Sequence, residues 1–242
     1  MINSFKIEFL KTKRNPIRKV TMLFPIIVII VIGMLFFSTG EVIPSIINQW
    51  GVIWASFYLA LIIGMIDRNE KKYTQYKTIL SSPYDLKKYE LGRISNDILL
   101  YFFGTIVLMI ILCLLTLLIK TNMSVFAICE SVISVFLATL WEVPLYSLIS
   151  RLTNLYITVV FTFAGVFLEI LTNNLKYGVV WPFTWPAIVT VRFTKLNING
   201  TMATNITTKA MPAILLIICL SLILFTFISY LSAISFRNQV KK

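Results

Sequence analysis
Residues 97–119, DILLYFFGTIVLMIILCLLTLLI, hold one charged side chain, Asp97, among 23. As a helix rising 1.5 Å per residue, such a run is about 35 Å long, enough to cross a hydrocarbon core roughly 30 Å thick. Five further windows read the same way: 20–39, 49–66 (led by Trp50 and Trp54), 124–149, 154–171 and 211–235. The composition agrees. The chain is 58% hydrophobic and 13% charged, with mean hydropathy +0.86; a soluble domain is about 45–50% apolar and about 25% charged. That much apolar surface must face lipid. The expected fold is all-α and integral to the membrane, with six transmembrane helices in one domain over 1–242. Disorder, collagen, coiled coil and a disulfide scaffold are excluded.

The 22 Lys and Arg against 10 Asp and Glu leave a net charge of +12. With the amino terminus placed in the cytoplasm, 17 of these cations fall inside, and Lys120, Lys176, Arg192, Lys195 and Lys209 fall outside. The positive-inside rule then predicts a multi-pass protein of the cell membrane with both termini cytoplasmic. The charge is accounted for by the membrane surface, with no nucleic-acid partner. The basic start followed by a long apolar run predicts an uncleaved anchor rather than a signal peptide.

Three segments are not spans. Residues 1–19 predict an interfacial helix: Ile2, Phe5 and Phe9 share one face, cations supply the other, and Asn15-Pro16 ends it. The connection 67–96, DRNEKKYTQYKTILSSPYDLKKYELGRISN, is too long for a hairpin between neighbouring helices, and long loops usually carry function. It predicts helix to Leu80, a break at Ser81-Ser82-Pro83, then a second helix from Leu86 into the third span. The connection 172–210 is apolar and aromatic in its first half. Trp181-Pro182 and Trp185-Pro186 interrupt it, which predicts a pair of re-entrant or interfacial pieces with tryptophans at headgroup depth.

Candidates for chemistry are few. Glu142, in Trp141-Glu-Val-Pro144, is the deepest carboxylate, and Pro144 frees a backbone carbonyl one turn earlier. A path-lining group, a structural ion pair and a protonated, hydrogen-bonded Glu all remain open there. Glu130 and Glu169 read as interfacial. The chain has no histidine, which removes the usual general base and metal ligand. Cys113, Cys129 and Cys219 sit in apolar runs without metal-ligand spacing and read as small core residues. There is no G-x-x-x-x-G-K-[ST]. The chain is expected to be no enzyme, with no catalytic, metal or cofactor residues of its own.

The layout, together with Asp67-Arg-Asn-Glu70, Leu80-Ser-Ser-Pro83 and Leu91-Gly-Arg93 in the long loop, resembles the ABC type 2 permease family, and within it the lantibiotic (bacteriocin) immunity and export permeases. The resemblance implies a second permease subunit, alike or homologous, and P-loop ATPase subunits that bind the ATP. It makes loop 67–96 the cytoplasmic coupling element. Tyr76, Lys77, Leu80, Ser82, Pro83 and Tyr84 would dock the ATPase, and Glu142, Pro144, Trp181 and Trp185 would line a translocation path. The implied function is ATP-driven export of an amphiphilic peptide, such as a lantibiotic, out of the membrane for self-protection. Two alternatives stand beside it: a non-transporting immunity or binding protein, and an ion-coupled secondary transporter using Glu142.

Overall fold
The computed structural model describes residues 2–13, 16–73, 76, 85–172, 178–203 and 212–239. Nine helices account for nearly all of that chain: α1 (Ile2–Lys13), α2 (Ile17–Leu35), α3 (Val42–Tyr73), α4 (Leu86–Leu115), α5 (Val125–Thr139), α6 (Glu142–Leu152), α7 (Leu155–Thr172), α8 (Thr184–Thr194) and α9 (Ile214–Gln239). Among the described residues the only strand-like pairing is a single bridge, Leu196 with Met202. Helices α2, α3, α4 and α9 are each long and apolar enough to span a bilayer. Helices α5 and α6 together form a fifth candidate, bent by 43°. Helix α7 is apolar but shorter. The chain is a multi-pass α-helical membrane protein.

Several helix bounds follow from local chemistry. Asp85 caps α4 by accepting from the Lys87 N–H, and Ser124 caps α5 by accepting from the Ala127 N–H, each satisfying a backbone donor at a helix start. Helix α4 begins as expected at Leu86 and continues without a break through the third apolar run. Helix α3 begins at Val42, seven residues before the expected window, because Pro44 lies in its first turn, where no N–H is needed. The fourth apolar window does not form one straight helix. Pro44's counterpart there, Pro144, has no N–H for the Leu140 carbonyl, which accepts instead from Val143 in a tighter turn.

The helices run up and down between two ends. One end, here called proximal, gathers α1, the carboxyl ends of α3, α6 and α9, and the amino end of α4. The other, distal, carries the α2–α3 and α4–α5 turns and α8. Without a hydrophobic force between helices in lipid, close approach at small residues matters. At Gly104 of α4, an added Cβ would stand 1.6 Å from the Tyr58 hydroxyl of α3, so the glycine gives Tyr58 room to donate to the Thr21 carbonyl of α2 at 2.9 Å.

The segment 172–210 departs from the sequence reading. Trp185-Pro186 does not break a helix. Pro186 falls in the first turn of α8, where proline is tolerated. Helix α8 is one short helix, and its residues 184–191 are all buried against α3 and α5. Of the expected pair of pieces, residues 173–177 and 204–211 lie outside the described residues.

Candidate functional site
Two polar centres lie within the apolar bundle. The first is built on two backbone irregularities. Helix α3 passes through a π-helical turn at Trp50–Trp54 just before Ser56, and α6 starts at Glu142 immediately after the 43° bend. Single π turns and broken spans recur where a membrane protein holds a functional polar group. Here both irregularities meet at one carboxylate. Glu142 is fully buried and accepts a hydrogen bond from the Ser56 hydroxyl at 2.9 Å. Tyr146, one turn on, faces the same group together with Thr162 of α7. Helix α7 turns a polar stripe inward, with Thr158, Thr162 and Glu169 all buried, while Tyr156, Val160, Phe163 and Phe167 face out.

Of the two acids read as interfacial, Glu169 is packed inside the protein, 1% exposed, and Glu130 is exposed. The signal for Glu169 was present as Thr158, Thr162 and Glu169 at helical spacing, a polar face on an otherwise apolar helix.

Trp141 connects this centre to the distal segment. Its ring meets Phe183 edge-on at 5.1 Å and Trp185 at 6.0 Å. Trp185 is buried, with its indole N–H donating to the Val179 carbonyl at 3.0 Å. Trp181 donates to the Gly165 carbonyl of α7 at 3.1 Å. Both tryptophans thus donate to carbonyls within the protein. Of the four path residues named from the resemblance, Glu142 and Pro144 share the bend, and Trp185 reaches it through Trp141.

The second centre is ionic and lies at the proximal end. Arg93 of α4 pairs with Asp67 of α3 at 3.1 Å and lies 3.8 Å from Glu90. Glu90 pairs with Arg151 of α6 at 2.8 Å. All four are at least 95% buried. Hydroxyls add further hydrogen bonds. Arg93 donates to Ser147 Oγ at 2.7 Å, Ser150 donates to Asp67 at 3.2 Å, and Ser232 of α9 donates to Glu90 at 2.7 Å. Two acids and two guanidinium groups cancel, and this pairing is what allows charge to be buried at all. At the rim, Lys71 adds a contact to Asp67 at 3.2 Å. Asn96 and Asp97, one turn deeper on α4, are buried too.

Helix α1 is clamped to this end rather than resting on the membrane surface alone. Tyr89 donates to Glu8, and Lys11 reaches Glu8 at 2.9 Å and Glu70 at 3.1 Å. Burial works against the Lys11 ammonium, but the Glu8 and Glu70 carboxylates outweigh it and hold its pKa above the ordinary 10.5. Arg151 and Tyr89 both lie on the Phe236 ring of α9, at 4.9 and 5.9 Å.

Of the six docking residues inferred from the resemblance, only Tyr76 is described; Lys77, Leu80, Ser82, Pro83 and Tyr84 lie outside the described residues. Tyr76 donates to Asp67 and sets its ring against Phe236, so it belongs to the ionic centre rather than to an outward face. The motif acids and arginine, Asp67, Glu70 and Arg93, likewise point inward to this centre and its α1 clamp. Ser147, Ser150, Arg151 and Ser232 complete it, and nothing in the local sequence singles them out. Comparison with family models, curated proteins and solved structures finds no match.

Proposed function
We propose that the chain is the membrane-spanning subunit of an ATP-driven exporter, moving an amphiphilic peptide of the lantibiotic kind out of the membrane. In this reading α2, α3, α4, α5–α6, α7 and α9 are six spans, both termini are cytoplasmic, and two permease subunits pair with separate P-loop ATPase subunits. The chain contributes no ATP site of its own.

The observation that carries the reading is the buried Asp67–Arg93 pair at 3.1 Å. It ties together the two helices that enter and leave the long loop. From there the same network runs to α6 through Ser147 and Arg151 and to α9 through Ser232. A partner that moves the loop would therefore move four spans through one packed, charge-balanced joint. Coupling of this kind needs a contiguous element with two arrangements. The test is co-purification of the chain with its ATPase. Leu80→Asp and Pro83→Asp should abolish it, and undiminished recovery with both variants would overturn the coupling role.

A second reading, ion-coupled transport, is favoured by Glu142, which sits at the meeting of two helix irregularities with a serine hydroxyl as partner. It predicts that Glu142→Gln stops transport while changes in loop 67–96 leave it intact. Proteoliposome uptake with and without ATP separates the two readings.

A further inference from the structure
At the distal end, α2, α3 and the end of α4 enclose an open groove of about 490 Å³, lined by Ile29, Gly33, Met34, Phe37, Val42 and Ile119 among others. The lining is almost wholly apolar. Immediately beyond it lies a second, mixed pocket bordered by Gly40, Thr116, Lys120, Thr121, Asn122 and Ser124. The two linings adjoin along the chain: Leu115 stands next to Thr116, Ile119 next to Lys120, and Phe37 three residues before Gly40. An apolar slot thus lies beside a polar pocket, which serves as its mouth.

Three properties define what fits. From Ile29 to Phe37 the slot runs about 12 Å along α2, close to the roughly 15 Å of hydrocarbon in one leaflet. Its open side carries the exposed Ile30, Met34 and Phe37, and on a helix apolar and long enough to span a bilayer such a face suits hydrocarbon chains. The mouth carries the exposed cation Lys120. Thr121 and Ser124 already accept backbone N–H groups, at 3.3 and 3.2 Å, which leaves each hydroxyl hydrogen to donate. A cation with two hydroxyl donors complements a phosphate. Glu41, held by Asn122 at 3.3 Å, lies beside the mouth and disfavours a headgroup with more negative charge than one phosphate. Gly33 keeps the slot open: a Cβ there would meet only Val42 Cγ1, at an unstrained 3.9 Å.

We propose that this groove and its polar mouth form a binding site for one glycerophospholipid of the distal leaflet, an acyl chain lying along Gly33 and the phosphate against Lys120. The site is separate from Glu142 and from the ionic centre, and it stands whichever way the protein faces and whatever it transports. It gives the protein a fixed lipid at the turn between α2 and α3, beside the path by which an amphiphile in that leaflet would approach.

The full chain is reconstituted in phosphatidylglycerol and phosphatidylethanolamine vesicles carrying a trace of phospholipid with a diazirine on one acyl chain. Adducts are mapped by mass spectrometry after illumination. Adducts should concentrate on residues 29–37 and 115–119 over the lipid-facing side of α7. Gly33→Leu, which fills the slot, should lower them at least about fivefold, while Gly33→Ala leaves them near wild type and serves as the folding control. Lys120→Ala should weaken phospholipid retention about fivefold, the effect of one cation at a phosphate surface. Adducts spread evenly over α7 and α9, or unchanged by Gly33→Leu, would overturn the site. Protection of the same residues by added lantibiotic with loss of the lipid adduct would also overturn it, making the occupant a peptide.

Discussion

The Arg93 guanidinium lies 3.1 Å from the Asp67 carboxylate, and both are at least 98% buried, although 26 residues separate them in the chain. Asp67 lies on α3 and Arg93 on α4, the helices that carry the chain into and out of the long connection. The loop's two feet are therefore fastened to each other inside the protein. A pull on either foot acts on both helices.

Removing one partner of a buried pair leaves the other uncompensated, at a cost of about 3–5 kcal/mol. Arg93→Ala and Asp67→Ala should each lower the detergent-solubilised melting temperature markedly. The double variant should lose less than the sum, with a coupling of about 1–3 kcal/mol. Strict additivity by thermal-shift fluorescence would show that the two residues do not interact.

At Glu142 the amide Glu142→Gln keeps the shape and can still accept the Ser56 hydrogen bond, so stability should change by less than about 1 kcal/mol. Glu142→Lys would bury a cation among Ser56, Tyr146 and Thr162 and should prevent recovery of folded protein. Equal yields of folded Glu142→Lys and wild type on size-exclusion chromatography would contradict this burial.

The clamp of α1 should depend on pH through Lys11. Its folded pKa lies above 10.5, so its contribution is fully present below that value and is lost as pH rises through the raised one. Wild type and Lys11→Met should therefore differ in thermal stability by a constant amount from neutral pH to about 10, and the gap should close above 10.5. A gap unchanged at pH 11.5 would place the effect elsewhere.

Gly104→Ala forces a methyl into the space of the Tyr58 hydroxyl, and the Thr21 carbonyl only 3.0 Å away limits the retreat. Overpacking of this kind costs about 1–3 kcal/mol. The paired variant Gly104→Ala, Tyr58→Phe should recover part of the loss, and absence of any recovery in melting temperature would argue against this contact.

Cys113 of α4 and Cys129 of α5 have sulfurs 3.8 Å apart, and Cys219 of α9 is exposed. Mild oxidation with copper phenanthroline should join Cys113 and Cys129 within one chain and leave Cys219 a free thiol, labelled by maleimide after denaturation. The readout is thiol labelling followed by peptide mapping. A Cys113–Cys129 pair that fails to form would contradict the packing of α4 on α5.

The sequence by itself determined the class. Hydropathy is local, so the long apolar runs in α2, α3, α4 and α9 were legible residue by residue, as was the continuous helix from Leu86 into the third run. Pro144 marked the bend in the fourth window because a missing N–H acts within one turn. Other features were hidden because they depend on which faces meet. Whether Trp185-Pro186 breaks a helix or opens one depended on where α8 begins. Whether Glu169 meets water or protein depended on how α7 is rotated against its neighbours. The ionic centre is the clearest case: Ser147, Arg151 and Ser232 are ordinary residues in the chain, and only folding brings them to Glu90 and Arg93. A buried charge is tolerable only beside its opposite. That opposite comes from another helix, so only the tertiary structure could decide that the loop's charges turn inward.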